Sequence, residues 1–217
     1  MPDTPGPDLT VYRRLLIFGG SFDPPHIAHV DLPGQVAAAI DADVVVYIPA
    51  GRAPHKLDKQ QTDPAHRLAM LRLALADVPN AIVLDDEIRR AADGRPSYTV
   101  ETLDDLRTRI SPDAEMRLLI GTDQVDIFES WYEWLRIIEL AEPVVMMRPT
   151  SGAPNHEDSE RSELPSVWRS RVVEVTPTDI SSTAVRRRVR DGRPLDGWVH
   201  PDVAAYIERH GLYRESD

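Results

Sequence analysis

LLIFGGSFDPPHIAHV, residues 15–30, holds a strand, a glycine turn and a helix start in close succession. Leu15 to Phe18 is a short apolar run that reads as a buried strand. Gly19-Gly20 breaks it, Ser21 offers a hydroxyl, and Pro24-Pro25 suits the first turn of a helix. Strand, glycine turn and helix start form an arrangement that binds phosphate. Bare glycines let the main chain approach an anion, while unpaired N–H groups and the positive dipole end of the helix face it. His26 and His29 stand three apart, so a helix carries both on one face over that positive end. The plainer reading is a tight turn followed by two surface histidines.

GGSFDPPHIAH resembles the GGTFDPxHxGH signature of the bacterial nicotinate-nucleotide adenylyltransferases, members of the nucleotidyltransferase superfamily with an HxGH motif. Ala28 stands where that signature has glycine, and its methyl group is expected to crowd an incoming nucleotide. The resemblance spans about residues 15–213, with its specific motifs in the right order.

The chain has 217 residues, 41% of them hydrophobic and 28% charged, ordinary for a soluble globular protein with one α/β domain and a small appendage. No apolar run is long enough to span a membrane. Its start, MPDTPGPDLT, is acidic and proline-rich, without the basic-then-apolar pattern of a secretion signal. The absence of cysteine excludes disulfides, a thiol nucleophile and a Cys-ligated zinc, and suits the cytoplasm. A formal charge of −11 argues against nucleic-acid and anionic-membrane partners, so positive charge for a nucleotide must be gathered locally.

Along the chain, helix is expected to continue from Val30 to Ile40, with a kink or rearrangement at Pro33-Gly34. DVVVYIP, 43–49, reads as a parallel strand buried on both faces. GRAPHK then forms a loop carrying Arg52, His55 and Lys56. Such loops are commonly only solvent-exposed, but this one follows a strand's carboxyl end. Asp63 to Ala76 has helical spacing, with Asp63 as cap and Leu68, Leu71 and Leu75 on one side. Ile82 to Leu84 is a third strand. After a turn at Asp93-Gly94, Ser97 or Thr99 opens a helix through Leu103 and Leu106.

RLLI, 117–120, is a fourth strand ending in Gly121-Thr122-Asp123. A carboxylate just past a strand–glycine turn commonly bonds two sugar hydroxyls, or else caps a helix. FESWYEWLRIIEL reads as one helix carrying Trp131, Trp134, Leu135 and Ile138. Pro143 to Met147 is a fifth strand and Arg171 to Val175 a short last one. Between them 150–166 is polar and aperiodic, expected to be exposed and mobile.

ISSTAVRRRVR, 180–190, holds a second anion site. Ser181 or Ser182 caps a helix, Thr183 lies in its first turn and Arg186 follows on the same face. The other arginines spread around the helix, most of them solvated. Gly192 stops it, and an amphipathic C-terminal helix docks Val203, Tyr206 and Ile207.

Alternating strands and helices imply a doubly wound, mostly parallel α/β sheet, Rossmann-like, in 3-2-1-4-5 order. The reversal lies between the first and fourth strands, where a ligand crevice is expected. The glycine turn and Gly121-Thr122-Asp123 both open onto it. The boundaries read as a flexible leader over 1–13, the α/β domain over 14–179, and a C-terminal helical part over 180–217 that completes the ATP site.

The resemblance implies adenylyl transfer from ATP to nicotinate mononucleotide, giving nicotinate adenine dinucleotide and pyrophosphate. It places Gly19, Gly20, Ser21, His26 and His29 at the α/β-phosphates, with His26, His29 and Ser21 catalytic. Ser182, Thr183 and Arg186 hold the leaving pyrophosphate. Lys56 and Asp123 orient the mononucleotide, with Tyr98, Thr99, Trp131 and Tyr132 around its ring, Trp131 stacking on it. Mg²⁺ is expected to ride on the triphosphate, with no protein ligand named. The alternatives are a same-fold transferase for nicotinamide mononucleotide or pantetheine phosphate, a catalytically inactive nucleotide-binding regulator, and a nucleic-acid binder using residues 186–190. Oligomeric state is left open.

Overall fold

In a computed structural model, the described residues are 6–51, 61–94, 96–147, 168, 171–176 and 178–214. Six strands, β1 (Arg14–Gly20), β2 (Val44–Pro49), β3 (Ala81–Val83), β4 (Glu115–Gly121), β5 (Glu142–Met147) and β6 (Val172–Glu174), form one sheet in the order β3-β2-β1-β4-β5-β6. Every pairing is parallel. The expected order is thus observed, with β6 added at the β5 edge. The helices are α1 (Ile27–Ala39), α2 (Pro64–Ala74), α3 (Asp86–Ala92), α4 (Thr99–Arg107), α5 (Thr122–Val125), α6 (Trp134–Leu140), α7 (Ser182–Arg190) and α8 (Pro201–His210).

Strand side chains alternate between faces, and two helical layers cover them. Leu15, Ile17, Val46 and Leu118 pack with Leu103, Leu106 and Ile137 from α4 and α6. Leu16, Phe18, Val45 and Leu119 pack with Leu32, Val36 and Leu71 from α1 and α2. A smaller cluster of Met70, Ala74, Val185, Val203 and Ile207 fastens α7 and α8 onto α2. The C-terminal helices therefore hang on the helix that follows β2, close to the carboxyl ends of the strands.

Several local expectations need correction. Leu9, in the segment expected as a flexible leader, is 1% exposed and belongs to the core, so burial of one leucine anchors residues 6–13 there. The first helix opens at His26, as expected, and from Ile27 runs through Pro33 as one element. On α2 the buried face holds Arg67, Met70, Leu71 and Ala74, while Leu68 is only half-buried. α3 was not expected. The helix read across 128–140 is interrupted: Phe128–Ser130 is a 3-10 turn, Trp131 is extended, and Glu133 adopts a left-handed φ of 52° before α6 starts. Lys56 and the stretch 150–166 lie outside the described residues.

Candidate active site

A crevice of about 620 Å³ opens at the carboxyl ends of β1 and β4, where the strand order reverses. One wall carries Gly19, Gly20, Ser21 and His29; the other carries Tyr98, Thr99, Asp123, Trp131 and Tyr132. Nine of the residues expected at the site therefore share one cavity.

The glycine turn is held in an unusual shape. Phe22 takes a left-handed φ of 48° yet is 1% exposed. A non-glycine residue there costs on the order of 1–3 kcal/mol, tolerated where surrounding packing fixes it. Here the rings of Phe18 and His29 meet Phe22 edge-on at 5.5 and 5.1 Å. A Cβ on Gly20 would lie 3.0 Å from the buried Phe22 ring, so a side chain there would press the ring out of place.

His26 is 4% exposed and forms the cap of α1, behind the crevice, whereas His29 lines it. Their rings stack with centroids 3.7 Å apart. The His26 main-chain N–H donates to His29 Nδ1 at 3.3 Å. In the neutral ring the His29 proton then sits on Nε2, a donor suited to a phosphate oxygen. Ala28 is 4% exposed, packs in the core under α1, and is not part of the crevice lining, so the methyl replacing the signature's glycine is absorbed by packing.

The second helix opening meets the first. Ser181 caps α7, accepting from the Ala184 N–H at 3.2 Å. Ser182 reaches instead across the molecule, its Oγ donating to the Pro24 carbonyl at 2.9 Å. Arg186 Nη1 donates to the Asp23 carbonyl at 2.6 Å and Nη2 to Thr183 Oγ1 at 3.3 Å. Arg188 lies over Trp198, 4.5 Å from its ring centroid, while Arg187 and Arg190 face solvent. Of this cationic run, Arg186 is the one joined to the glycine turn among the described residues.

Two further groups support the same turn. Asp23 is 7% exposed; it accepts from Tyr213 Oη at 2.6 Å and from the Thr62 N–H at 3.2 Å. Burial, and next the Asp23 charge, push the Tyr213 hydroxyl well above its ordinary range. Arg67 is fully buried and donates to the carbonyls of Ser21 and Ala50. Neither Arg67 nor Tyr213 was singled out from sequence. A mid-helix arginine looks like a solvated one, and the only available signal was its place among the apolar positions of α2.

The opposite wall is aromatic and more open. Tyr98 caps α4 and meets Tyr132 at 4.9 Å between ring centroids. Trp131 is half-buried against Phe128, centroids 5.2 Å apart, while Tyr132 is 55% exposed. Asp123 is exposed and accepts from Gln124 Nε2 at 2.6 Å. Glu87 also faces the crevice, accepting from Thr102 Oγ1 at 3.1 Å and the Gly51 N–H at 3.4 Å; burial raises its carboxyl above the usual range. Among the described residues, no three His, Cys, Asp or Glu side chains gather as a metal site, and no helix is long and apolar enough to cross a membrane.

The wall of glycine main chain and His29 suits a polyphosphate, and the aromatic wall suits a flat ring. Ser182, Thr183 and Arg186 are not in the crevice lining; Ser182 and Arg186 are joined to the glycine turn through the Pro24 and Asp23 carbonyls. The cytidylyltransferase-like family model matches residues 17–188. A protein of Chromobacterium violaceum named as a nicotinate-nucleotide adenylyltransferase is 37% identical over 212 residues, covering 93% of this chain and 99% of that protein. A Roseiflexus relative of the same name is 41% identical, covering 91% and 96%. Among solved structures, the Plasmodium falciparum nicotinic acid mononucleotide adenylyltransferase complexed with NaAD superposes with TM-score 0.66 at 18% identity, over 93% of this chain and 97% of that one.

Proposed function

The chain belongs to the cytidylyltransferase-like family, among the nicotinate-nucleotide adenylyltransferases, and from that premise we propose how its crevice works. The protein transfers the adenylyl group of ATP to nicotinate mononucleotide, releasing pyrophosphate and forming nicotinate adenine dinucleotide, a step of NAD biosynthesis.

An oxygen of the mononucleotide's 5′-phosphate attacks the α-phosphorus of ATP, and the bond to the bridging oxygen of the β-phosphate breaks. The nucleophile is already an anion near neutral pH, so no general base is required. The obstacles are repulsion between two polyanions and charge building on the α-phosphate and leaving group. Catalysis is therefore positioning with electrostatic stabilisation.

His29, with the main chain of Gly19, Gly20 and Ser21, faces the α- and β-phosphates. His26 shares that role through its ring stacked on His29 and its position at the entrance of α1. Ser182, Thr183 and Arg186 take the leaving pyrophosphate, Arg186 exchanging the Asp23 carbonyl for phosphate oxygens as the nucleotide enters. Asp123 bonds ribose hydroxyls, the Tyr98–Thr99 main chain meets the pyridine carboxylate, and Trp131 with Tyr132 stacks on the ring. Lys56 is assigned to the mononucleotide phosphate. The reaction takes a divalent cation, for which we propose Mg²⁺, carried in with ATP on phosphate oxygens and water.

The observation that carries this reading is the meeting of two helix openings, through Ser182 on Pro24 and Arg186 on Asp23, beside an aromatic slot. Pyrophosphate release from ATP tests it, with nicotinate mononucleotide, nicotinamide mononucleotide and pantetheine phosphate compared. The carboxylate nucleotide should be used best. Preference for another acceptor would assign the scaffold to a different transferase, and no release with any of them would make it a nucleotide-binding regulator.

A further inference from the structure

Arg67 is the largest fully buried side chain among the described residues, and its guanidinium ends on main-chain oxygens throughout. Nε donates to the Thr62 carbonyl at 3.0 Å, Nη1 to Ser21 at 2.7 Å, and Nη2 to Ala50 at 2.8 Å and more weakly to Gly51 at 3.5 Å. Burying a cation this way is costly, and a stability role alone would be met as well by an apolar side chain. The contacts instead join the loop after β1 to the loop after β2. Those strand ends already share the Ala50 N–H on the Gly20 carbonyl at 2.8 Å, and Arg67 extends the join by one residue on each loop. Only a planar fork holds several oxygens in fixed directions at once.

We propose that Arg67 is a positioning residue for the transfer, setting the spacing between the loop that receives ATP and the loop on the acceptor side. The proposal rests on the adenylyl-transfer reading above. With each carbonyl drawn onto the guanidinium, the Ser21 and Ala50 oxygens are neutralised where incoming phosphates would otherwise meet them. The buried positive charge adds a favourable field for two incoming polyanions where the dielectric is low. Asp23, Tyr213, Asp63 and Glu87 act on this cation electrostatically, against the burial that lowers its pKa.

Arg67→Lys keeps the charge and loses the fork. Per folded molecule, its affinity for a non-hydrolysable ATP analogue alone and for nicotinate mononucleotide alone should stay within about threefold of wild type. Its kcat should fall on the order of 10²-fold, and affinity for the dinucleotide product, which needs both loops at once, should fall about tenfold. Unchanged kcat and dinucleotide affinity, or equal losses for all three ligands, would overturn the proposal. Should the variant not fold, wild-type amide exchange decides: ATP alone should slow exchange at Ala50 and Gly51, and unaltered rates there refute the coupling. A wild type that releases no pyrophosphate defeats the functional reading, whereas an active wild type with an indifferent Arg67→Lys defeats this inference alone.

Discussion

The two walls of the crevice are built differently. The glycine-turn wall is a short loop whose carbonyls are held by side chains from distant parts of the chain: Ser21 by Arg67, Asp23 by Arg186 and Pro24 by Ser182. The facing wall is a set of aromatic rings, Trp131 and Tyr132 on an irregular segment, with Ile127 and Tyr132 both substantially exposed. One wall is fixed in place by hydrogen bonds; the other presents ring surface with few of them. Damage to the first should therefore strike the chemical step, and damage to the second should strike acceptor binding.

His29→Ala probes the first wall most severely. Loss of a donor to developing charge costs roughly 2.7–4 kcal/mol, or about 10²–10³-fold in kcat, with acceptor KM little altered. Steady-state kinetics with both substrates varied checks it, and wild-type turnover would remove the histidine from the mechanism. Trp131→Ala tests the second wall. Base–aromatic stacking is worth ~1–3 kcal/mol, so KM for nicotinate mononucleotide should rise on the order of tenfold to a hundredfold while KM for ATP holds. A fall in kcat with unchanged acceptor KM would erase the contrast between the walls.

Arg186→Lys sharpens the comparison from the α7 side. It keeps the charge but loses the fork that spans Asp23 and Thr183, so ATP affinity should weaken roughly tenfold. Titration calorimetry with an ATP analogue measures this, and unchanged affinity would leave the arginine without a role there. The smallest effect concerns Glu87, between the walls. Burial raises its carboxyl, so its stabilising contribution is present below the usual unfolded carboxylate range and is lost as pH rises through the raised value. Glu87→Gln is neutral throughout, so Tm of the variant minus that of wild type should grow from acid to neutral pH, by roughly 2–4 °C for each kcal/mol involved. A difference that narrows with pH would mean the carboxylate is better accommodated than its burial implies.

The glycine-turn wall was readable in the sequence because its pattern is local. Glycines, histidines and the Ser-Ser-Thr helix entrance stand at short spacings that carry their own physical reason. The sheet order followed from alternating elements and is confirmed through β5. What escaped was non-local or unsignalled. Arg67 and Tyr213 gain meaning only when α2 and the chain's end fold against the glycine turn. The break at 131–133 depends on Glu133 in a left-handed conformation, at a position with no glycine to announce it.

The structure of the protein with a non-hydrolysable ATP analogue bears most directly on the shared crevice. The triphosphate should lie against His29 and the glycine turn on one side and against Ser182, Thr183 and Arg186 on the other. A triphosphate bound on another face, or touching one helix opening while the second stays apart, would contradict the account.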